Sequence, residues 1–143
     1  MAREMPEHEV REFLSAGTRT GKLAVVRRDG SPLVVPIWFV VDDDGSLVFN
    51  TGAETAKGRA ILRDPRVSVC VDRETPPFDY VRVDGVAEVS RDLGEMLPWA
   101  TRIAARYMGA ELAESYGRRN AVEGELLVRV RPTRVVALAG VAD

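Results

Sequence analysis

Polar residues that could hold an anion are gathered in one short stretch between a predicted strand and a predicted helix. Asn50, Thr51, Gly52, Thr55 and Lys57 lie there, and Thr55 is a good N-cap for a helix over Ala56 to Arg63. A helix N-terminus leaves backbone N–H groups unpaired and carries partial positive charge, so it attracts anions. Two hydroxyls, a cation and free amides therefore predict a cradle for a phosphate group.

No other part of the sequence offers a catalytic or metal site of the usual kind. The single histidine, His8, is predicted to be solvated on a helix, and the single cysteine, Cys70, to be an inert thiol in an apolar strand. One histidine and one cysteine supply neither a zinc cluster nor a nucleophile–base pair. The acidic run Asp42 to Gly45 lacks the later bidentate glutamate of a calcium loop, so it is interpreted as a hairpin turn. We expect any chemistry to come from a phosphorylated cofactor.

The composition is that of a single globular domain spanning residues 1–143, with 45% hydrophobic and 29% charged residues. A net charge of −2 argues against bulk nucleic-acid binding. No apolar run approaches the roughly 18 residues of a membrane span. The polar N-terminus shows no signal peptide, and the lone cysteine excludes an internal disulfide. A cytoplasmic protein without a nucleic-acid or membrane partner is expected.

Hydrophobic periodicity and turn signals predict six strands and four helices. The strands are Lys22–Arg28, Leu33–Val41, Ser46–Asn50, Arg66–Val71, Tyr80–Val89 and Glu125–Leu138. The helices are Pro6–Ala16, Ala56–Arg63, Glu95–Met108 and Ala110–Tyr116. The first three strands are expected to form a meander of hairpins. The fold class predicted is mainly β with peripheral helices (α+β), built on a small six-stranded antiparallel barrel.

The strand Leu33–Val41 is apolar at almost every position, so both of its faces should be covered. Pro36 interrupts it, and proline cannot donate a hydrogen bond to a neighbouring strand. Pro36 marks either a sheet edge or bulge, or a gap where a flat ligand meets exposed backbone beside Trp38. Because the barrel interior covers one face and helix Glu95–Met108 only part of the other, a homodimer is expected to cover the rest.

Several segments, taken in order, make the chain resemble a known superfamily. They are GKLAVVRRDGSPLVVPIWFVVD, FNTG, TAKGRAILRDPRVSVCVD, YVRVDGVAEV and ELLVRVRPTRVVA. Together they resemble the pyridoxamine 5′-phosphate oxidase-like split β-barrel superfamily, and most closely its branch of F420-dependent oxidoreductases. The resemblance covers nearly the whole chain.

This resemblance implies a homodimer with two cofactor sites at the subunit interface. It places Lys57 on the cofactor phosphate and Phe78, from the partner's loop, against the site. The residues implied to line the phosphate are Asn50, Thr51, Thr55 and Ala56. The residues implied to run along the deazaflavin ring are Val35, Pro36, Ile37 and Trp38.

The resemblance also implies the cofactor. Users of flavin mononucleotide (FMN) in the superfamily place more cationic side chains around the phosphate than this chain does, which favours coenzyme F420. The expected function is hydride transfer from reduced F420 to a conjugated small-molecule acceptor such as an enone, a quinone or a tetrapyrrole, without a catalytic side chain or a metal. Two alternatives stay open: an FMN-dependent oxidase or reductase, and a non-catalytic carrier of F420 or haem.

Overall fold

A computed structural model describes all residues from Met1 to Asp143. The strands are β1 (Arg3–Glu4), β2 (Gly21–Val26), β3 (Pro32–Ile37), β4 (Val40–Val41), β5 (Leu47–Gly52), β6 (Arg66–Asp72), β7 (Tyr80–Ser90) and β8 (Glu125–Ala139). The helices are α1 (Glu7–Ser15), α2 (Ala56–Arg63), α3 (Leu93–Met108) and α4 (Ala113–Asn120), with a 3₁₀ turn at Ala110–Leu112. The predicted class, mainly β with peripheral helices, is confirmed.

All eight strands belong to one antiparallel sheet in the order β3-β2-β6-β7-β8-β5-β4, with β1 paired to β8. The two end strands, β3 and β4, follow one another in the chain and are separated only by Trp38 and Phe39. The sheet therefore curls until its two ends meet through the chain itself, which makes a split barrel. The predicted count of six becomes eight because β1 was not predicted and Leu33–Val41 divides into β3 and β4.

The predicted meander of the first three long strands is wrong in one pairing. β2 and β3 form a hairpin, and β4 and β5 form another, but β3 does not pair with β5. The second neighbour of β5 is β8, and the second neighbour of β2 is β6. The break at Trp38 and Phe39 redirects the chain, so the two hairpins lie at opposite ends of the sheet.

β3 is an edge strand whose two faces differ in burial. Leu33 and Val35 pack against the main core, whereas Val34, on the opposite face, is 62% exposed. Pro36 is on that exposed face and at the sheet edge, where the missing N–H of proline is tolerated. The edge interpretation of Pro36 is confirmed, and within one chain the outer face of β3 stays uncovered.

Two apolar clusters hold the fold together. The larger fills the barrel and includes the fully buried Leu23, Phe39, Phe49 and Leu126. The smaller lies outside the barrel, where α3 covers β4, β5 and the start of β8; its members are Val40, Val48, Met96, Ile103 and Leu127. α3 thus covers the end of the sheet that holds β4 and β5, and the opposite end, at β3, has no helix over its outer face. None of the helices is long and apolar enough to cross a membrane.

Candidate functional site

A cavity of about 340 Å³ opens where the end of β3 meets β5 and the N-terminus of α2. Its lining residues are Pro36, Ile37, Trp38, Asn50, Thr51, Gly52, Thr55, Lys57, Ile103, Asn120 and Glu125. Seven of the ten predicted site residues are in this set, although they come from two separate stretches of the sequence. The structure brings the predicted phosphate cradle and the predicted ring-binding strand to opposite sides of one cavity.

The corner between β5 and α2 is built around close backbone contact. A side chain at Gly58 would place its Cβ 2.1 Å from the carbonyl oxygen of Gly52, so only glycine fits there. Thr55 fixes the same corner, because its Oγ1 accepts a hydrogen bond from the Gly58 N–H at 3.1 Å and donates to the Gly52 carbonyl at 2.7 Å. The predicted N-cap and the predicted bounds of α2 are both confirmed.

The free donors at this corner differ from the hydroxyls that the sequence suggested. The Thr55 hydroxyl gives its proton to Gly52, so in its 3.2 Å contact with Thr51 the Thr51 hydroxyl is the donor. Both hydroxyls are thus occupied within the chain. The backbone N–H groups of Ala56 and Lys57 have no partner in the chain, and the Lys57 ammonium forms neither a hydrogen bond nor an ion pair. Two amides and one cation remain for an anion.

A carboxylate lies on the same side of the cavity. Glu125 is opposite Gly52 in the β5–β8 pair, and it accepts a long 3.4 Å hydrogen bond from the side-chain amide of Asn50. The same amide group also donates to the Asn120 carbonyl at 3.3 Å. Burial raises the pKa of Glu125 above its ordinary value, and the Lys57 charge and the Asn50 hydrogen bond oppose that shift. The only titratable side chains that line the cavity are therefore Lys57 and Glu125.

The other side of the cavity is an aromatic wall. The Trp38 ring stacks on Tyr107 of α3, with ring centroids 5.1 Å apart and planes 5° apart. Tyr107 is anchored through its hydroxyl, which donates to the Arg19 carbonyl at 2.9 Å and accepts from the Phe39 N–H at 3.2 Å. Burial raises the pKa of Tyr107, so the phenol keeps the proton that it donates. Trp38 remains 38% exposed.

Arg106, the residue before Tyr107 in α3, holds the backbone around Trp38 and Phe39. Its guanidinium donates to the carbonyls of Phe39 and Leu14, each at 2.7 Å, and to that of Gly17 at 3.0 Å. It also lies over the Phe39 ring, 4.8 Å from the centroid. Arg106 thus ties the break between β3 and β4 to the end of α1, and it fixes the backbone that carries Trp38.

Three predicted site residues do not line the cavity of the single chain. Val35 is half-buried and packs against the barrel core, and Ala56 is exposed at the first position of α2, where only its N–H is relevant. Phe78 is 45% exposed and lines a separate depression with Cys70 and Tyr80. Nothing in one chain brings Phe78 to its own cavity, so the predicted contact requires the partner subunit.

The remaining candidates from the sequence have structural positions. His8 is exposed on α1, and Cys70 is half-buried in β6, where burial raises the pKa of its thiol. The acidic run forms the predicted hairpin turn between β4 and β5. There Asp42 accepts a 2.6 Å hydrogen bond from Arg129, which lowers the pKa of that carboxyl. Asp42 therefore has a structural ion pair.

Three lining residues were not identified from the sequence, namely Ile103, Asn120 and Glu125. Gly52, which ends the FNTG segment and β5, was predicted as part of the polar turn but was not assigned to the cofactor site. Ile103, Asn120 and Glu125 reach the cavity only through the packing of α3, α4 and β8 against β5. The lone acidic residue at the start of the apolar run of β8 was the one available signal for Glu125.

The fold and the cavity define a split-barrel protein of the pyridoxamine 5′-phosphate oxidase-like superfamily. The family model described as pyridoxamine 5′-phosphate oxidase matches residues 6–139, which is almost the whole chain. The chain belongs to this family. No curated protein sequence matches it.

Solved structures with the same architecture include an F420 reductase, an FAD-binding protein and a haem storage protein. The conserved hypothetical protein Rv2991 from Mycobacterium tuberculosis is 28% identical, with a TM-score of 0.79 over 92% of this chain and 82% of that one. An F420 reductase is also 28% identical, with a TM-score of 0.73 over 92% of this chain and 98% of that one. An FAD-binding protein from Mesorhizobium loti is 26% identical, with a TM-score of 0.69 over 96% of each chain. The haem storage protein HutZ from Vibrio cholerae, at 21% identity and a TM-score of 0.74, shares the fold. The family therefore supports binding of a flavin-type cofactor in general.

Proposed function

We propose that this protein is an oxidoreductase that uses reduced coenzyme F420 to reduce a conjugated small-molecule acceptor. The observation that carries the proposal is the single cavity with a phosphate-type donor set on one side and the stacked Trp38 on the other. A phosphorylated cofactor with a flat ring needs both sides at once. The similarity to an F420 reductase over nearly the full length of both chains supports the choice of cofactor.

The residues that line the cavity fit a phosphorylated cofactor with a flat ring. Lys57 and the first amides of α2 would hold the phosphate, since they are the donors that the chain leaves without partners. Pro36, Ile37 and Trp38 would lie along the ring, and the stack on Tyr107 keeps the indole from turning away. When bound, reduced F420 supplies a hydride to an electron-poor carbon of the acceptor.

The chain's own contribution is binding, orientation and exclusion of water. Lys57 and Glu125 are the only acid or base groups that line the cavity, and both lie on the phosphate side. The Tyr107 phenol, which stacks on Trp38, does not line the cavity, so no acid or base of this chain faces the cavity on the ring side. The proton that completes reduction of the acceptor would come from solvent.

A flavin nucleotide is the second candidate cofactor, and the FAD-binding protein at 26% identity favours it. Haem is less well supported by the residues. The cavity lining contains no histidine, cysteine, methionine or tyrosine, the side chains that ligate haem iron. A carrier role with F420 is compatible with the same geometry, so turnover must be measured separately from binding.

We also propose that the working unit is a homodimer. The outer face of β3, with Val34 62% exposed, has no covering helix in its own chain, and it borders the cavity at Pro36. A second copy placed there would bury this apolar face and could bring its Phe78 toward the ring side of the cavity. Both cavities would then be completed at the interface.

Titration of the purified protein with F420, FMN and haem tests the cofactor. Ring fluorescence and the Soret band report the binding. F420 is expected to bind in the micromolar range or tighter, and FMN more weakly. Tight co-purification of FMN from a host without F420 would overturn the choice of cofactor. Reoxidation of bound reduced F420 by a panel of enones and quinones, against a protein-free control, separates an enzyme from a carrier.

A further inference from the structure

We infer that Glu125 makes the phosphate side of the cavity selective for a singly charged phosphodiester over a doubly charged phosphomonoester. This inference rests on the proposed function, because it assumes that the phosphate of a cofactor binds beside Lys57. It concerns a residue that the sequence did not suggest, and it gives a physical reason why one class of phosphorylated cofactor would be preferred.

The first step is the position of the carboxylate. Glu125 and Gly52 are paired residues of β8 and β5, and a Cβ built on Gly52 would lie 3.0 Å from Glu125 Oε2. The same Cβ would lie 3.3 Å from the Cγ2 of Thr55, the N-cap of α2. The carboxylate is therefore next to the helix N-terminus and lines the same cavity as Lys57.

The second step is the charge of the cavity. Lys57 is the only cation and Glu125 the only anion among the lining side chains, so their formal charges cancel. The two side chains are not in contact as an ion pair, and no arginine pairs with Glu125 either. The remaining attraction for an anion comes from the amides and dipole of a single eight-residue helix. The net positive charge left for an anion is then about half an elementary charge, which suits a singly charged anion better than a doubly charged one.

The third step is the charge of the ligand. A phosphomonoester carries about 1.5 to 2 negative charges near neutral pH, since its second pKa is about 6. A phosphodiester has no second ionisation and carries one. Repulsion from a partly desolvated carboxylate that lines the same cavity acts on each negative charge of the ligand, so it weakens binding of the monoester more. The Glu125 carboxylate also accepts a long hydrogen bond, 3.4 Å, from the Asn50 amide, which favours its position in the cavity lining.

FMN and the methyl ester of its phosphate are the matched probes. They have the same ring and the same ribityl chain, and they differ only in whether the phosphate is a monoester or a diester. Dissociation constants are measured at pH 8 by flavin fluorescence for the wild type and for Glu125→Gln, which keeps the shape and removes the charge. Glu123→Gln is the control, because it removes the same charge from an exposed residue of the adjoining turn.

Glu125→Gln is expected to tighten FMN binding about tenfold and methyl-FMN binding about threefold, because Coulomb repulsion scales with ligand charge. Glu123→Gln should change both by less than about twofold, since exposed charges are screened. An equal gain for both ligands, or weaker binding of both, would overturn the inference. Circular dichroism establishes that each variant is folded, and Glu125→Ala provides a second neutral variant with the same expected direction.

The outcome is separable from that of the proposed function. If the wild type binds neither F420 nor methyl-FMN, the proposed function fails, and inorganic phosphate and dimethyl phosphate replace the flavins as probes. The backbone amide shifts of Ala56, Lys57 and Gly58 are then followed in both proteins. If Glu125→Gln binds inorganic phosphate more tightly than the wild type does, without a matching gain in affinity for dimethyl phosphate, the proposed selectivity of Glu125 is supported. The absence of that difference rejects it.

Discussion

The two sides of the cavity are held in place by different kinds of structure. On the phosphate side, the corner between β5 and α2 is set within Asn50 to Gly58 by a glycine contact and a threonine cap, and only Asn120 and Glu125 come from distant segments. On the ring side, Trp38 is held by Tyr107 and Arg106, which are nearly seventy residues away in the chain. The corner that would hold the phosphate is determined locally, whereas the ring side depends on the complete fold and on an uncovered edge strand.

The largest expected effect concerns that uncovered edge. Val34→Arg places a charge on the exposed face of β3, which a second subunit is proposed to cover, so the variant should be monomeric. The wild type should sediment as a dimer at low micromolar concentration, with an interface above about 2,000 Å². Leu62→Arg, at a 47% exposed position of α2, is the matched control and should stay dimeric. If the wild type is a monomer and still binds the cofactor, the proposal that a partner subunit completes the ring side of the cavity is wrong.

The second effect tests whether the corner is as tight as the contact indicates. Helix propensity alone predicts that Gly58→Ala stabilises α2 by about 1 kcal/mol. The 2.1 Å approach to the Gly52 carbonyl predicts the opposite sign, a loss of about 3 kcal/mol in the free energy of unfolding. Urea denaturation measures this change in the free energy of unfolding. Arg59→Ala on the exposed side of the same helix should change that free energy by less than about 0.5 kcal/mol. A stabilising Gly58→Ala would show that the corner can relax.

The third effect separates binding from folding on the phosphate side. Lys57→Ala removes an ammonium without a partner in the chain, so the free energy of unfolding should barely change. Loss of this ammonium should weaken the binding of the phosphorylated cofactor by about 1.5–3 kcal/mol, which is the range for a charged hydrogen bond. Fluorescence titration measures the affinity, with Arg59→Ala again as the control. Unchanged affinity in Lys57→Ala would remove this residue from the phosphate cradle.

The smallest effect tests the anchoring of the ring side. Tyr107→Phe keeps the stack on Trp38 but removes the hydroxyl that joins Phe39 to Arg19. The free energy of unfolding should fall by about 1 kcal/mol, and cofactor affinity should fall severalfold because Trp38 is less firmly held. Tyr116→Phe, whose hydroxyl has no partner in the chain, should match the wild type. Equal behaviour of the two variants would show that the stack alone positions Trp38.

The same contrast explains what could be predicted from the sequence. The bounds of α2 and its cap at Thr55 depend on neighbouring residues, and both were predicted correctly. The division of Leu33–Val41 was missed because an apolar run looks the same whether or not it bends. The pairing of β5 with β8 is a contact between distant segments, so short-range turn signals could not provide it.

The residues of the cavity follow the same rule. Thr51, Thr55 and Lys57 are close in sequence, and a helix N-terminus suggests them together. Glu125 and Asn120 reach the cavity through the packing of β8 and α4, which no local pattern specifies. The stacking of Tyr107 on Trp38 joins residues that are far apart in the chain, so it could be found only from the fold. Single-chain packing also leaves Phe78 away from its own cavity, and that predicted contact stays a prediction.

The break between β3 and β4 has a consequence for how binding could be observed. At Phe39 the barrel has no strand partner to close it, and the N–H of this residue is bonded instead to the Tyr107 hydroxyl. The exchange rate of one amide proton with solvent therefore reports how often the barrel opens at this point. A ring held against Trp38 would hold the adjoining peptide as well and slow that exchange. A hydrogen-exchange measurement on this single amide would then register a ligand through the opening of the barrel, without any signal from the ligand itself.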